Sequence, residues 1–221
     1  MQTPGSTSIS TAQIPVQQRL IGITGGIATG KSSVGNWLAK RGLPVLDTDV
    51  FAREVLAPGT AATRAVAEHF GAELVCKPIS SKDSIPNFYE LNRKKLGQIV
   101  FSEEREKKWL EELVHPLVLK RLKQEIEQLI AEPTIILMIP LLFEVGLEKL
   151  CSEIWLVDCS QQQQLNRLLA RDRLSESEAK RRIDSQWPMN KKRLFADIII
   201  NNDGKPESWI QEVNLLLDHS Q

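Results

Sequence analysis

The chain has 221 residues, 42% of them hydrophobic, enough for one substantial core with room for an inserted subdomain or lid. Lysine plus arginine and aspartate plus glutamate both number 28, so no overall positive field gathers nucleic acid or an anionic membrane, and an anionic ligand must be held by a local site. Cys76, Cys151 and Cys159 are odd in number and lack CxxC or Cys/His ligand spacing, which argues against structural zinc and predicts free, mostly buried thiols in a reducing compartment.

Residues 1–18 have neither the basic nor the apolar segment of a secretory signal and lack the arginines of a transit peptide, so they read as a disordered tail. No uninterrupted apolar run reaches the roughly 18 residues of a spanning helix, which predicts a soluble, cytoplasmic protein without a membrane partner.

Residues 20–24 form a short β-rich run, followed by a helix over 31–41 with Val34, Trp37 and Leu38 on one face and Gly42 as its stop. "LPVLD" (43–47) is a second buried strand ending in carboxylates, and "VFAREVL" opens the next helix. Residues 60–131 read as several helices with no convincing strand. In the last of these, Leu110, Leu113, Val114, Leu117 and Val118 make an apolar stripe, while Pro116 biases His115 out of helical geometry and predicts a kink or two abutting helices. "TIILMI" (134–139), "EIWLVD" (153–158) and "DIII" (197–200) are three further strands. Residues 160–193 between the last two are helical and locally basic, as in a lid beside a nucleotide or a solvated amphipathic surface.

Apolar strands without polar alternation, interleaved with helices, are what a parallel sheet covered on both faces requires. The expected fold is therefore α/β, a three-layer sandwich with a five-stranded parallel sheet. Its core would comprise residues 19–59, 132–159 and 194–221, with a helical insertion at 60–131 and a helical lid at 160–193.

The stretch from Gly25 through Gly26, Ile27, Ala28, Thr29, Gly30 and Lys31 to Ser32 and Ser33 matches G-x(4)-G-K-[ST], with a strand before it and a helix after. Its glycines let backbone N–H groups converge on phosphate oxygens, and the following helix presents its positive end to them. Lys31 would neutralise the β and γ phosphates of a nucleoside triphosphate, and Ser32 would offer its hydroxyl to Mg²⁺. "TIILMIP" ends in proline where a Walker-B strand would end in aspartate, so other carboxylates must serve. Asp47 and Asp49 lie at the carboxyl end of the second strand, at the sheet edge where ligands of open α/β sheets bind. One could take the proton of an attacking hydroxyl and the other help position Mg²⁺ or cap the next helix, with Asp47 the better cap or metal partner.

Together these segments resemble the dephospho-coenzyme A kinase family of P-loop, nucleotide-kinase-like enzymes. The matching residues are "GITGGIATGKSSV", "VLDTDVFAREV", "LVHP", "IPLLFE", "LNRLLARD" with "RRIDSQ", and "ADIIINND", together spanning roughly residues 19–210. The match departs at Ala28, where glycine is common, and at Thr48, where alanine is common. The resemblance implies ATP-dependent phosphorylation of the ribose 3′-hydroxyl of dephospho-CoA, with ATP and Mg²⁺ required and no nucleic-acid or membrane partner. It implies Asp49 as general base and Arg171, with Arg167 second, as the lid arginine that reaches the transferring phosphoryl group; either could instead be a salt-bridged surface arginine. Arg53 would pair with Asp49 or contact the acceptor. His115 is either a helix-junction residue or acceptor-binding, and Glu144 touches the acceptor or a metal-bound water, or packs. The helical insertion would accept the pantetheine-bearing substrate. Oligomeric state stays open, with a monomer as the default. A P-loop kinase for another small acceptor and a slow GTP-hydrolysing switch are the rival readings; no N-K-x-D-like segment supports the second.

Overall fold

The computed structural model describes residues 18–76, 90–205 and 207–218; the expected disordered tail, apart from Gln18, lies outside the described residues. In chain order the elements are β1 (Arg19–Thr24), α1 (Lys31–Lys40), β2 (Val45–Asp47), α2 (Thr48–Val55), α3 (Ala61–Phe70), β3 (Val75–Cys76), β4 (Glu90–Leu91), α4 (Arg93–Ser102), α5 (Glu104–Gln128), β5 (Thr134–Met138), β6 (Glu153–Asp158), α6 (Gln161–Asp172), α7 (Glu176–Asp184), α8 (Met189–Arg193), β7 (Ile198–Asn201) and α9 (Ile210–Asp218).

The main sheet has the order β2-β5-β1-β6-β7 with every pairing parallel. Each strand presents alternate residues to opposite faces. On β5, Ile136 and Met138 join a cluster with Val34, Leu38 and Val213 from α1 and α9, while Ile135 and Leu137 join Phe51 of α2 and Leu122 of α5 on the other face. Both faces are therefore dry, which is why these strands read as continuous apolar runs. A third cluster, Val66, Leu74, Leu91 and Leu96, with Trp109, Leu110 and Leu113 packed against it, gives α3, β4, α4 and the first part of α5 a small core of their own.

Two features differ from the sequence reading. A two-stranded antiparallel pair, β3 with β4, lies inside the segment expected to be wholly helical; two-residue strands carry too little alternation to show a period. In addition, α5 runs unbroken for 25 residues through Pro116. Proline removes one helical hydrogen bond and costs about 3 kcal/mol in a helix interior. Glu112 and Pro116 are both exposed, so water can solvate the orphaned carbonyl, while Val114 and Leu122, buried on either side, hold both halves of the helix to the protein.

Cys159 is buried and Cys151 half-buried, both as free thiols, and burial pushes them up to about 11 and about 12 respectively. Among the described residues no helix is long and apolar enough to cross a membrane.

Candidate active site

The carboxyl ends of β1, β2 and β5 meet at one edge of the sheet, and the candidate site is built there. Residues 25–30 connect β1 to α1. A Cβ on Gly25 would lie 2.6 Å from the Val157 carbonyl oxygen and 2.7 Å from Thr29 Oγ1, so only glycine fits where the loop leaves the sheet. Gly30 takes the left-handed conformation at φ 99° and caps α1. Ala28 also has positive φ, 60°, a conformation that costs an alanine about 1–2 kcal/mol.

The loop's carbonyls are tied down from within the loop and from outside it. The Gly26 carbonyl accepts from Thr29 Oγ1 at 2.9 Å, and the Ile27 carbonyl from Gln164 Nε2 at 2.8 Å. The Thr29 carbonyl accepts from Asn202 Nδ2 at 2.8 Å and from Arg167 Nη1 at 3.3 Å. With the carbonyls so engaged, the N–H groups of Ala28, Gly30, Lys31 and Ser32 donate to no acceptor among the described residues. Such a run of unpaired amides at a helix N-terminus is a built anion site. The Ile27 N–H differs: it donates to Gln186 Oε1 at 2.7 Å.

Lys31 and Asp49 influence each other directly. Burial lowers the Lys31 ammonium from its ordinary value, against the opposing pull of Asp49 and then Asp47. Burial likewise raises the Asp49 carboxyl, although Lys31 counteracts it and Asp47 adds to it. By accessible surface Asp49 is open to the cleft, where water screens its charge. Asp47 is the N-cap of α2, its Oδ1 accepting the Asp49 N–H at 2.8 Å. The Thr48 hydroxyl between them donates to the Met138 carbonyl at 3.1 Å, so the residue that departs from the family pattern is satisfied in place and pins α2 to β5.

Beside Asp49 opens an apolar cavity of about 520 Å³, walled by α2, by α5 including Val114 and His115, and by Pro140 and Leu141 after β5. It shares His115, Glu111 and Leu141 with a second cavity of about 620 Å³ that extends to Glu144 and Trp187. The structure thus brings Lys31, Asp47, Asp49 and His115 to one cleft.

The remaining residues singled out in the sequence lie further out or are engaged. Arg53 is exposed, and its charge is the weakest of those acting on Asp49. Arg171 is 59% exposed and forms a two-point ion pair with Asp172, Nε to Oδ1 at 2.7 Å and Nη2 to Oδ2 at 3.1 Å, yet its charge acts on Lys31. Arg167 braces the phosphate loop through Thr29 and donates to the Asn202 carbonyl at 2.8 Å. Glu144 Oε1 accepts from the Trp187 N–H at 2.9 Å and from Lys192 Nζ at 2.8 Å. Sequence reasoning gave no role to Gln164, Gln186 or Lys192; Asn202 was visible only as one of the asparagines ending β7.

Comparisons with known proteins identify the family. The family model described as dephospho-CoA kinase matches residues 19–207. The chain is 51% identical over 206 residues to a dephospho-CoA kinase of Synechococcus sp. (strain CC9605), covering 93% of this chain and 95% of that one. It is 53% identical over 187 residues to the dephospho-CoA kinase of Parasynechococcus marenigrum (strain WH8102), covering 85% and 89%. Among solved structures, a dephospho-CoA kinase from Campylobacter jejuni superposes with a TM-score of 0.64 at 27% identity, covering 92% of this chain and 98% of that one. With its phosphate loop, paired aspartates and helical wall all inside the matched span, the chain belongs to the dephospho-CoA kinase family.

Proposed function

We infer that the chain performs its family's reaction, the last step of coenzyme A synthesis, in the cleft between the phosphate loop and α5. The γ-phosphoryl group of ATP passes to the ribose 3′-hydroxyl of dephospho-CoA. The observation that carries this reading is the position of Asp49, which lines the apolar cavity and on which the Lys31 ammonium acts.

ATP binds with its phosphates on the unpaired amides of Ala28, Gly30, Lys31 and Ser32. Dephospho-CoA occupies the cavity beside α5, its ribose toward Asp49 and the aliphatic parts of its pantetheine arm along Val114 and Leu122, with Arg53 and His115 contacting it from the rim. Asp49 accepts the 3′-hydroxyl proton as that oxygen bonds to the γ-phosphorus. The bond from phosphorus to the β,γ-bridging oxygen breaks, and its electron pair leaves with ADP. Lys31 and Arg171 stabilise the negative charge spread over the transferring group, where electrostatic preorganisation supplies most of the acceleration. Arg171 is released from Asp172 as the lid, residues 160–193, closes and excludes water.

Magnesium belongs to the same reading. The described residues contain no group of three or more His, Cys, Asp or Glu placed to hold a metal. A magnesium ion carried by the triphosphate needs only one or two protein ligands, and the Ser32 hydroxyl and Asp47 Oδ2 would hold it. When bound it would neutralise phosphate charge. The reading also makes the protein a cytoplasmic one without nucleic-acid or membrane partners. ADP release measured with dephospho-CoA, nucleosides, nucleotides and shikimate in turn tests it: stimulation by dephospho-CoA alone is expected, and stimulation by another acceptor overturns the substrate.

A further inference from the structure

Lys192 has no exposed surface, which is unusual for a lysine. It lies on α8, at the end of the basic helical segment, and its Nζ contacts Glu144 Oε1 at 2.8 Å and the Pro140 carbonyl at 3.3 Å. The same Pro140 carbonyl accepts from Thr24 Oγ1 at 3.1 Å, and Thr24 is the residue from which the phosphate loop springs. One lysine therefore joins the helical lid segment, the turn after β5 and the root of the loop.

Docking of α8 does not require this pair. Phe143, Trp187 and Phe195 pack on one another with ring centroids 5.8–6.3 Å apart, and Phe143 and Trp187 belong to the core cluster on that face of the sheet. A buried ion pair generally adds little stability over apolar side chains of similar volume, because both charges must be desolvated. Glu144 Oε2 is moreover buried with no hydrogen-bond partner among the described residues, so the pair is imperfectly satisfied even where it stands. An arrangement that contributes so little to folding, placed against the phosphate loop, calls for a functional reason.

We propose that Lys192 is a positioning residue for phosphoryl transfer, clamped by Glu144 so that it braces the Pro140 to Thr24 corner beneath the phosphate loop and holds there a buried positive charge that acts on Lys31. The two like charges act on each other across the site, and the Lys192 charge contributes to lowering the Lys31 ammonium. Triphosphate relieves that repulsion on entering. Lys192 sits at the carboxyl end of the lid segment, so the brace also carries lid position to the loop. Glu144 then serves the reaction through Lys192.

The inference rests on the kinase reading, and dephospho-CoA-dependent ADP release by the unaltered chain tests that reading separately. The variants are Lys192→Met, Lys192→Arg and the double variant Glu144→Gln with Lys192→Met, each measured for kcat, KM for ATP and melting temperature. Lys192→Met should lower kcat by about 10- to 100-fold, with KM for ATP changing less. Lys192→Arg should restore most of the lost kcat. The double variant, which leaves no unpaired buried charge, should regain melting temperature while kcat stays low. Normal kcat in Lys192→Met below its melting temperature, or recovery of kcat together with stability in the double variant, would overturn the proposal and leave the pair a packing feature.

Discussion

The Asp47 carboxylate accepts the backbone N–H of Asp49 at 2.8 Å, so the two acids of this pair are held to different tasks. Asp47 is fixed by its role as helix cap, whereas Asp49 points its charge into the cleft toward Lys31. Asp47→Ala should cost about 1 kcal/mol of stability, the worth of an N-cap. Asp49→Asn should cost little stability while nearly abolishing phosphoryl transfer and sparing ATP binding. Denaturant melts beside ATP titrations measure both; equal destabilisation by the two changes would remove the distinction.

Asp49 also sets a pH dependence of folding. Burial raises its carboxyl above the ordinary aspartate range, so the folded protein holds that proton more tightly than the unfolded chain does. The sign follows from linkage: as pH rises from the ordinary aspartate range through the raised value, the unfolded state releases its proton first and the fold loses stability. Asp49→Asn removes this loss. Its melting temperature relative to wild type should therefore climb as pH rises through the window above the ordinary aspartate value of about 4. A difference that falls over this window would mean that the carboxylate is stabilised in the fold.

Ala28 holds a left-handed conformation at φ 60° inside the phosphate loop. Glycine there relieves the strain but adds freedom to the unfolded chain, and the balance favours Ala28→Gly by roughly 0.5–1 kcal/mol. A rise in melting temperature with unchanged or tighter ATP binding is the expected result; destabilisation would show that the loop does not keep this angle.

Arg167 and Arg171 separate by partner. Arg167 donates to the carbonyls of Thr29 in the phosphate loop and of Asn202 beside it, and its removal takes that donor from the Asn202 carbonyl while Thr29 keeps Asn202 Nδ2, so Arg167→Ala should lose about 1–3 kcal/mol and weaken ATP binding. Arg171 is exposed and, among the described residues, paired with Asp172 alone. Such a pair is worth at most about 1 kcal/mol; Arg171→Ala should leave the melting temperature nearly unchanged and lower kcat about 100-fold or more, as loss of a transition-state cation does. Unchanged kcat would return Arg171 to the surface.

Legibility in the sequence followed the range of the forces involved. The five sheet strands and the phosphate loop were visible because their causes are local: β5 buries alternate residues on both faces, and the loop needs glycines at fixed spacing. Asp47 as a helix cap was equally local. The unbroken α5 was hidden because packing of Val114 and Leu122 overrides what Pro116 prefers. The β3–β4 pair was hidden by its two-residue strands. The contacts of Gln186, Asn202 and Lys192 depend on folding that brings β7 and the lid segment against β1 and β5, and nothing local to those residues signals it. Glu144 was visible as part of a motif; its lysine partner was not.

The most direct test of Asp49 as the group that activates the acceptor is the ³¹P NMR spectrum of dephospho-CoA after incubation with Mg-ATP and either the wild-type chain or Asp49→Asn. Wild type should produce one new phosphomonoester resonance, at the ribose 3′ position, together with ADP. Asp49→Asn should produce neither while still binding ATP. Transfer by Asp49→Asn at a rate comparable to wild type, or a phosphomonoester at another position, would contradict the account.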